Sequence, residues 1–218
     1  LHAQYGSLTN LIDAKLSLTK LVDGNRVSLW SDYLASWLKI VLDFPLLTPL
    51  KSTDEPGQGQ SLGKDQEVSC LADLKQADYF SEMSFYFSVD QFRASEFNAA
   101  LKQFSGQTEA LDFSGFDGHL KGAIDLVFKA NGQYFILDYK SNFLGDSVDD
   151  YQEEALQQVM QAHRYDVQYL LYTLATHRFL THRFGDAYDY QRDFGGVYYL
   201  FLRGLALDKD VETVISSI

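Results

Sequence analysis

Asp125, Asp138 and Lys140 stand inside a largely apolar stretch, LKGAIDLVFKANGQYFILDYKSN, over residues 120–142. Asn131-Gly132 divides it into two runs. Both central residues of a type I′ turn need positive φ, so this dipeptide predicts a two-residue hairpin. That register sets Asp125 directly opposite Asp138 and puts Lys140 on the same face as Asp138. Facing carboxylates about 5 Å apart at Cβ repel by roughly 0.2–1 kcal/mol unless one is protonated or a cation lies between them. A divalent ion resolves the conflict, and hard oxygen ligands with open positions suit Mg²⁺, for which Mn²⁺ can substitute. Such an ion generates an attacking hydroxide and neutralises charge at a phosphate. Lys140 is then placed to hold the water or the charge developing on phosphorus. The plainer alternative is a solvated strand end on which Lys140 merely pairs with a carboxylate.

These residues need a sheet to carry them. The opposite face, Ile124, Leu126, Phe128, Phe135, Leu137 and Tyr139, is apolar throughout, which predicts one dry face and one reactive face. Helical spacing marks residues 26–43, ended by Pro45. Residues 52–67 are polar and glycine-rich and predict a flexible loop. Residues 82–90 predict a strand, followed by a helix over 90–104 with Asp90 as its N-cap. DDYQEEALQQVMQA and DVQYLLYTLATHRFLTHRF predict two further helices, and GGVYYLFLRG over 195–204 a buried strand bounded by glycines. The expected architecture is α/β: a central mixed sheet built on the 119–140 hairpin and the 195–203 strand, flanked by helices.

With 218 residues, 46% of them hydrophobic, the chain has enough apolar surface for one sizeable core, so a single domain over 1–218 is expected. Eighteen Lys and Arg against 30 Asp and Glu give a net charge of −12, the wrong sign for holding nucleic acid by general electrostatics. Phosphate chemistry here needs a bound metal or a basic neighbouring domain. Cys70, the single cysteine, excludes an internal disulfide framework and a thiolate zinc cluster. No long apolar run or signal-peptide pattern is present, and the expectation is a cytoplasmic protein with no membrane partner. The chain opens at Leu1 without an initiator methionine and reads as a piece of something longer.

The ordered segments GAIDLVF…YFILDYKSNFLG, QAHRYDVQYLLYTLATHRFL and FGGVYYLFLRG closely resemble the carboxy-terminal nuclease domains of the RecB family, in the PD-(D/E)XK nuclease superfamily. The resemblance is dense over 118–205 and looser before that, and it does not place residues 44–80. It implies a restriction-endonuclease-like fold and a Mg-dependent deoxyribonuclease of the exodeoxyribonuclease V type, part of a RecBCD-type helicase–nuclease in double-strand break repair and recombination. It also implies DNA, the helicase portion of a parent chain and partner subunits as partners. Asp125 and Asp138 would be catalytic metal ligands and Lys140 the catalytic lysine. The Tyr139 carbonyl and an early histidine, here His2, would be further ligands. Gln168 and Tyr172 match the Q-x-x-x-Y motif, which puts both on one helix face toward a phosphate or the attacking water. Glu82 matches an assisting acidic residue. Arg164 and Arg203 could touch DNA or simply be ion-paired, whereas His163, His177 and His182 receive no role. The rival reading is an inactive nuclease-fold scaffold or DNA-end-binding module, which usually lacks the lysine or one aspartate; both kinds of residue stand here.

Overall fold

The computed structural model describes residues 8–19, 26–46, 68–105, 110–206 and 215–217. His2 and the loop over 52–67 lie outside them. The chain falls into two compact units, Leu1–Gly59 with Ser69–Asp73, and Gln60–Val68 with Leu74–Ile218. In the first, helices α1 (Leu8–Thr19) and α2 (Val27–Asp43) pack on each other. Pro45 ends α2 as expected and forms a β-bridge with Cys70. Asp73 Oδ2 accepts the Ser69 and Cys70 N–H groups at 3.0 and 3.1 Å, and these backbone donors hold its carboxyl below the usual range.

The second unit is an α/β body. Its sheet has the order β1 (Tyr79–Phe92), β2 (Phe116–Ala130), β3 (Gln133–Lys140), β4 (Phe194–Phe201), β5 (Ile215–Ser217). β3 and β4 run parallel and the other neighbours antiparallel, so the sheet is mixed, as the sequence predicts. The helices are α3 (Ala94–Ser105), α4 (Glu153–Ala162), α5 (Tyr165–Phe184) and the single turn α6 (Tyr190–Asp193).

The Asn131-Gly132 turn forms as expected, with φ of 50° and 87°, and Ala130 pairs with Gln133. Pairing then continues in register through Leu126 and Leu137. One expectation needs correcting. Asp90 caps no helix, because β1 runs on through Phe92 and α3 starts at Ala94. The alternating Phe85, Phe87 and Val89 keep the chain paired with Gly122, Leu120 and Gly118 in turn, and the register shifts only between Val89 and Phe92.

A second difference concerns the faces of the sheet. Leu126, Phe128, Phe135 and Leu137 are buried, as a dry face requires, but so are Val127, Ile136, Asp138 and Lys140 on the other. Helix α5 lies over that side, with Gln168 on Asp138 and the Phe179 ring 5.6 Å from that of Phe80. The alternation along a strand reports which residues share a face; it carries nothing about what is laid on that face afterwards.

Helix α5 is delivered by a sharp corner. Arg164 takes a left-handed φ of 53° between α4 and α5, and its guanidinium grips buried Asp166 at 3.1 and 3.2 Å. A left-handed residue at a helix C-terminus is normally Gly or Asn, so the bidentate ion pair offsets a backbone cost of about 1 kcal/mol. That pair, at the helix start, takes Arg164 as an ion-paired element end.

Candidate active site

The reactive groups gather where β2 and β3 part. Beyond the Leu126–Leu137 pair, the Asp125 carboxylate accepts the Tyr139 N–H at 2.9 Å, in place of a backbone carbonyl. Asp125 and Asp138 therefore occupy successive strands at the same level. Burial pushes the Asp138 carboxyl up, the Asp125 charge pushes it the same way, and Lys140 pulls it down.

Lys140 Nζ sits 2.5 Å from Asp138 Oδ2 and donates to Gln168 Oε1 at 2.7 Å. Gln168 Nε2 donates to Asp138 Oδ1 at 3.2 Å and to Tyr172 Oη at 2.9 Å; Tyr172 Oη in turn donates to the Ala123 carbonyl at 2.8 Å. The network thus closes across β2, β3 and α5. Asp138 and Lys140 are 4% and 7% exposed, so this ion pair lies out of water, where losing one partner is costly.

Sequence reasoning missed two residues. The Tyr165 and Tyr199 rings stack at 5.6 Å, and Lys140 Nζ stands 3.7 Å from the Tyr165 centroid and 5.0 Å from that of Tyr199. Tyr199 Oη donates to the Tyr165 carbonyl at 3.0 Å, and Tyr165 Oη donates to Asn142 Oδ1 at 3.2 Å. Two cation–π faces, the Asp138 carboxylate and the Gln168 carbonyl leave the ammonium one defined position. The available signal was parity: Tyr199 lies beside Asp138 in the parallel register, and Tyr165 precedes Gln168 by one helical turn. Burial raises the Tyr172 and Tyr199 phenols, and it pushes Tyr139, beside the Asp125 charge, up to about 12.

Glu82 lies in β1 between the pairs Ser81–Leu126 and Met83–Ile124, hence across from Asp125, and is exposed with a φ of 52°. Phe80 before it and Phe85 after it differ in parity, yet both pack on α5, at Phe179 and Tyr172. The side-chain alternation of β1 breaks between them, and the left-handed Glu82 is where it can do so. Arg203 Nε donates to the Ser141 carbonyl at 2.9 Å, next to Lys140 in the chain. His163 stacks on Tyr165, and His177 lies 3.4 Å from Tyr188 Oη; His182 is exposed.

Among the described residues no three His, Cys, Asp or Glu side chains converge as ligands. The two carboxylates still fit a hard divalent cation. They are oxygen donors at one level of the sheet, Asp138 is raised by burial and by its neighbour's charge, and ions such as Mg²⁺ take few protein ligands and keep waters.

A model of the PD-(D/E)XK nuclease superfamily matches residues 67–216. The chain is 41% identical over 216 residues to the RecBCD enzyme subunit RecB of Escherichia coli K12, covering 96% of this chain and 16% of that protein. Against the same subunit of Haemophilus influenzae it is 40% identical over 203 residues, 90% of this chain and 15% of the relative. Against that of Mycobacterium tuberculosis H37Rv it is 47% identical over 89 residues, 40% of this chain and 8% of the relative. The chain thus spans about a sixth of the first two relatives.

Proposed function

The chain belongs to the PD-(D/E)XK nuclease superfamily, and on that premise we propose that it is a metal-dependent nuclease domain hydrolysing DNA phosphodiester bonds. The observation that carries this reading is the convergence of Asp125, Asp138, Lys140, Gln168 and Tyr172 from three elements into one hydrogen-bonded cluster. Asp125 and Asp138, with the Tyr139 carbonyl, would hold Mg²⁺ or Mn²⁺. When bound, the ion lowers the pKa of water and neutralises phosphate charge.

The chain's own residues do the rest. Lys140, fixed by its aromatic and amide neighbours, is aimed at the attacking water or the phosphate oxygen. Its three protons are committed to Asp138, Gln168 and the Tyr165 face, so orienting a water requires the Asp138 contact to be given up. Gln168 spans both carboxylate and ammonium and keeps them in register while that exchange occurs. Tyr172 anchors Gln168 to the β2 backbone. Both carboxylates and the lysine are present, which favours an enzyme over an inactive scaffold.

The relatives' name, RecBCD enzyme subunit RecB, supports placing the domain in a RecBCD-type helicase–nuclease acting in double-strand break repair and recombination. DNA, a helicase portion and partner subunits would then be its partners. The test is cleavage of linear DNA by EDTA-stripped protein, with and without Mg²⁺ or Mn²⁺. Cleavage should require the added ion and vanish in Asp138→Ala; metal-independent cleavage, or an active Asp138→Ala, would overturn the reading.

A further inference from the structure

We propose that a cleft at the hairpin end of the sheet holds one base of a single DNA strand against aromatic rings, with the adjoining phosphates on Lys129 and Arg183. This rests on the nuclease reading above and adds a second contact to it. The cleft, about 110 Å³, is lined by Phe80, Lys129, Tyr134, Phe179, Arg183 and Phe184 among others. Its scale suits one ring system and not a folded oligonucleotide.

The two cations of the cleft stand against aromatic rings. Arg93, Lys140, Arg164 and Arg192 each pair with a carboxylate, and none of the ion pairs among the described residues takes up Lys129 or Arg183. Instead Lys129 Nζ stands 5.5 Å from the Tyr134 centroid and Arg183 Cζ 5.7 Å from that of Phe184. Both cations are exposed, as are Phe80 and Phe184 at 42% and 40%. One carboxylate, Asp78, also lines the cleft, and the Asp193 charge reaches Lys129 and Tyr134 from outside it, so only the lining itself carries a net positive charge, on a chain of charge −12. Exposed aromatic rings flanked by cations bind single strands by stacking and phosphate contact, with little sequence preference.

The cleft is also on the strand's way. Val127 and Lys129 follow Asp125 on the same face of β2, and α5 carries both Gln168 and Phe179, eleven residues apart and so about 16 Å along its axis. At about 3.4 Å per stacked nucleotide, that is about five nucleotides from the scissile phosphate. A dinucleotide cannot reach both places; a dodecamer can.

The test compares end-labelled thymidine dinucleotide and dodecamer by fluorescence anisotropy in EDTA, where cleavage does not intrude, using wild type, the double variant Lys129→Gln/Arg183→Gln, and Phe184→Leu. The variants should weaken dodecamer binding about tenfold, and wild type should bind the dinucleotide, which can fill only one of the two places, more weakly than the dodecamer. A single 5-iodo-2′-deoxyuridine in the dodecamer should photo-crosslink to Tyr134, Phe179 or Phe184. Unchanged dodecamer affinity in the variants, a dodecamer bound no tighter than the dinucleotide, or crosslinks only elsewhere would overturn the proposal, and unchanged affinity is also what a protein side chain as the natural occupant would give. Metal-dependent cleavage of the dodecamer by wild type reports separately on the nuclease reading, so either can fail alone.

Discussion

The Asp125 carboxylate caps the Tyr139 backbone N–H where β2 and β3 cease to pair. One side chain therefore holds the strand and faces Asp138. Asp125→Asn retains an acceptor and should fold with near wild-type stability while losing divalent-metal affinity and cleavage. Asp125→Ala should lose both and also about 1–3 kcal/mol of stability, because the half-buried N–H is left unpaired. Urea unfolding and Mn²⁺ titration of the two variants separate these effects; an Asn variant that binds Mn²⁺ as tightly as wild type would remove Asp125 from the ligand set.

Lys140→Met strips the cation from a buried pair. Metal-free stability should fall by about 3–5 kcal/mol, and added Mn²⁺ should restore more stability than it gives wild type, since Asp138 then has no competing partner. Cleavage should drop by about 100-fold or more. A variant cleaving near the wild-type rate would end the assigned role.

Tyr165 supplies the nearer ring to Lys140 and a hydroxyl to Asn142. Tyr165→Phe keeps the ring and should cleave at close to the wild-type rate. Tyr165→Leu, which loses an interaction of about 1–2 kcal/mol, should lower kcat about tenfold with Mn²⁺ affinity unchanged. Equal losses in both variants would assign the effect to the hydroxyl and not to the ring.

Asp193 sets an acid limit for the turn leading into β4. The Arg192 guanidinium, then the Asp189 N–H, hold its carboxyl at about 2. A depressed folded value means the stabilisation is complete above the unfolded value of about 3.9 and is lost as pH falls through about 2. Unfolding curves of wild type and Asp193→Asn should therefore converge as pH drops over that window and stay parallel above it. A Carboxyl NMR titration of Asp193 centred near 4 would contradict the assignment.

How much of this could be read beforehand follows from which interactions are local. Asn131-Gly132 is a local backbone preference, and it carried the register that brings Asp125 level with Asp138. Gln168 and Tyr172 share a helix face by spacing alone, though nothing local says that face meets Lys140. The covering of the Asp138 face by α5 depends on the left-handed corner at Arg164, a residue type that gives no such signal. Tyr165 and Tyr199 read as core aromatics, and only the β3–β4 register shows them closing on an ammonium. The strand β1 outran its expected end because pairing across the sheet outweighed the capping preference of Asp90.

Asn131 does more than turn the chain, since its side chain accepts the Val68 N–H at 3.1 Å and donates to the Val68 carbonyl at 3.0 Å. An exposed asparagine followed by glycine is chemically impermanent: the Gly132 nitrogen can attack the amide carbon, expel ammonia and leave a succinimide that opens to aspartate or isoaspartate. Aspartate can no longer donate to Val68, and isoaspartate adds a methylene to the backbone at the position from which the strand register is counted. Ageing at this peptide bond would therefore reach the carboxylates at the other end of the hairpin without any change to them, and a protein stored at alkaline pH would lose its site in step with the isoaspartate found at residue 131.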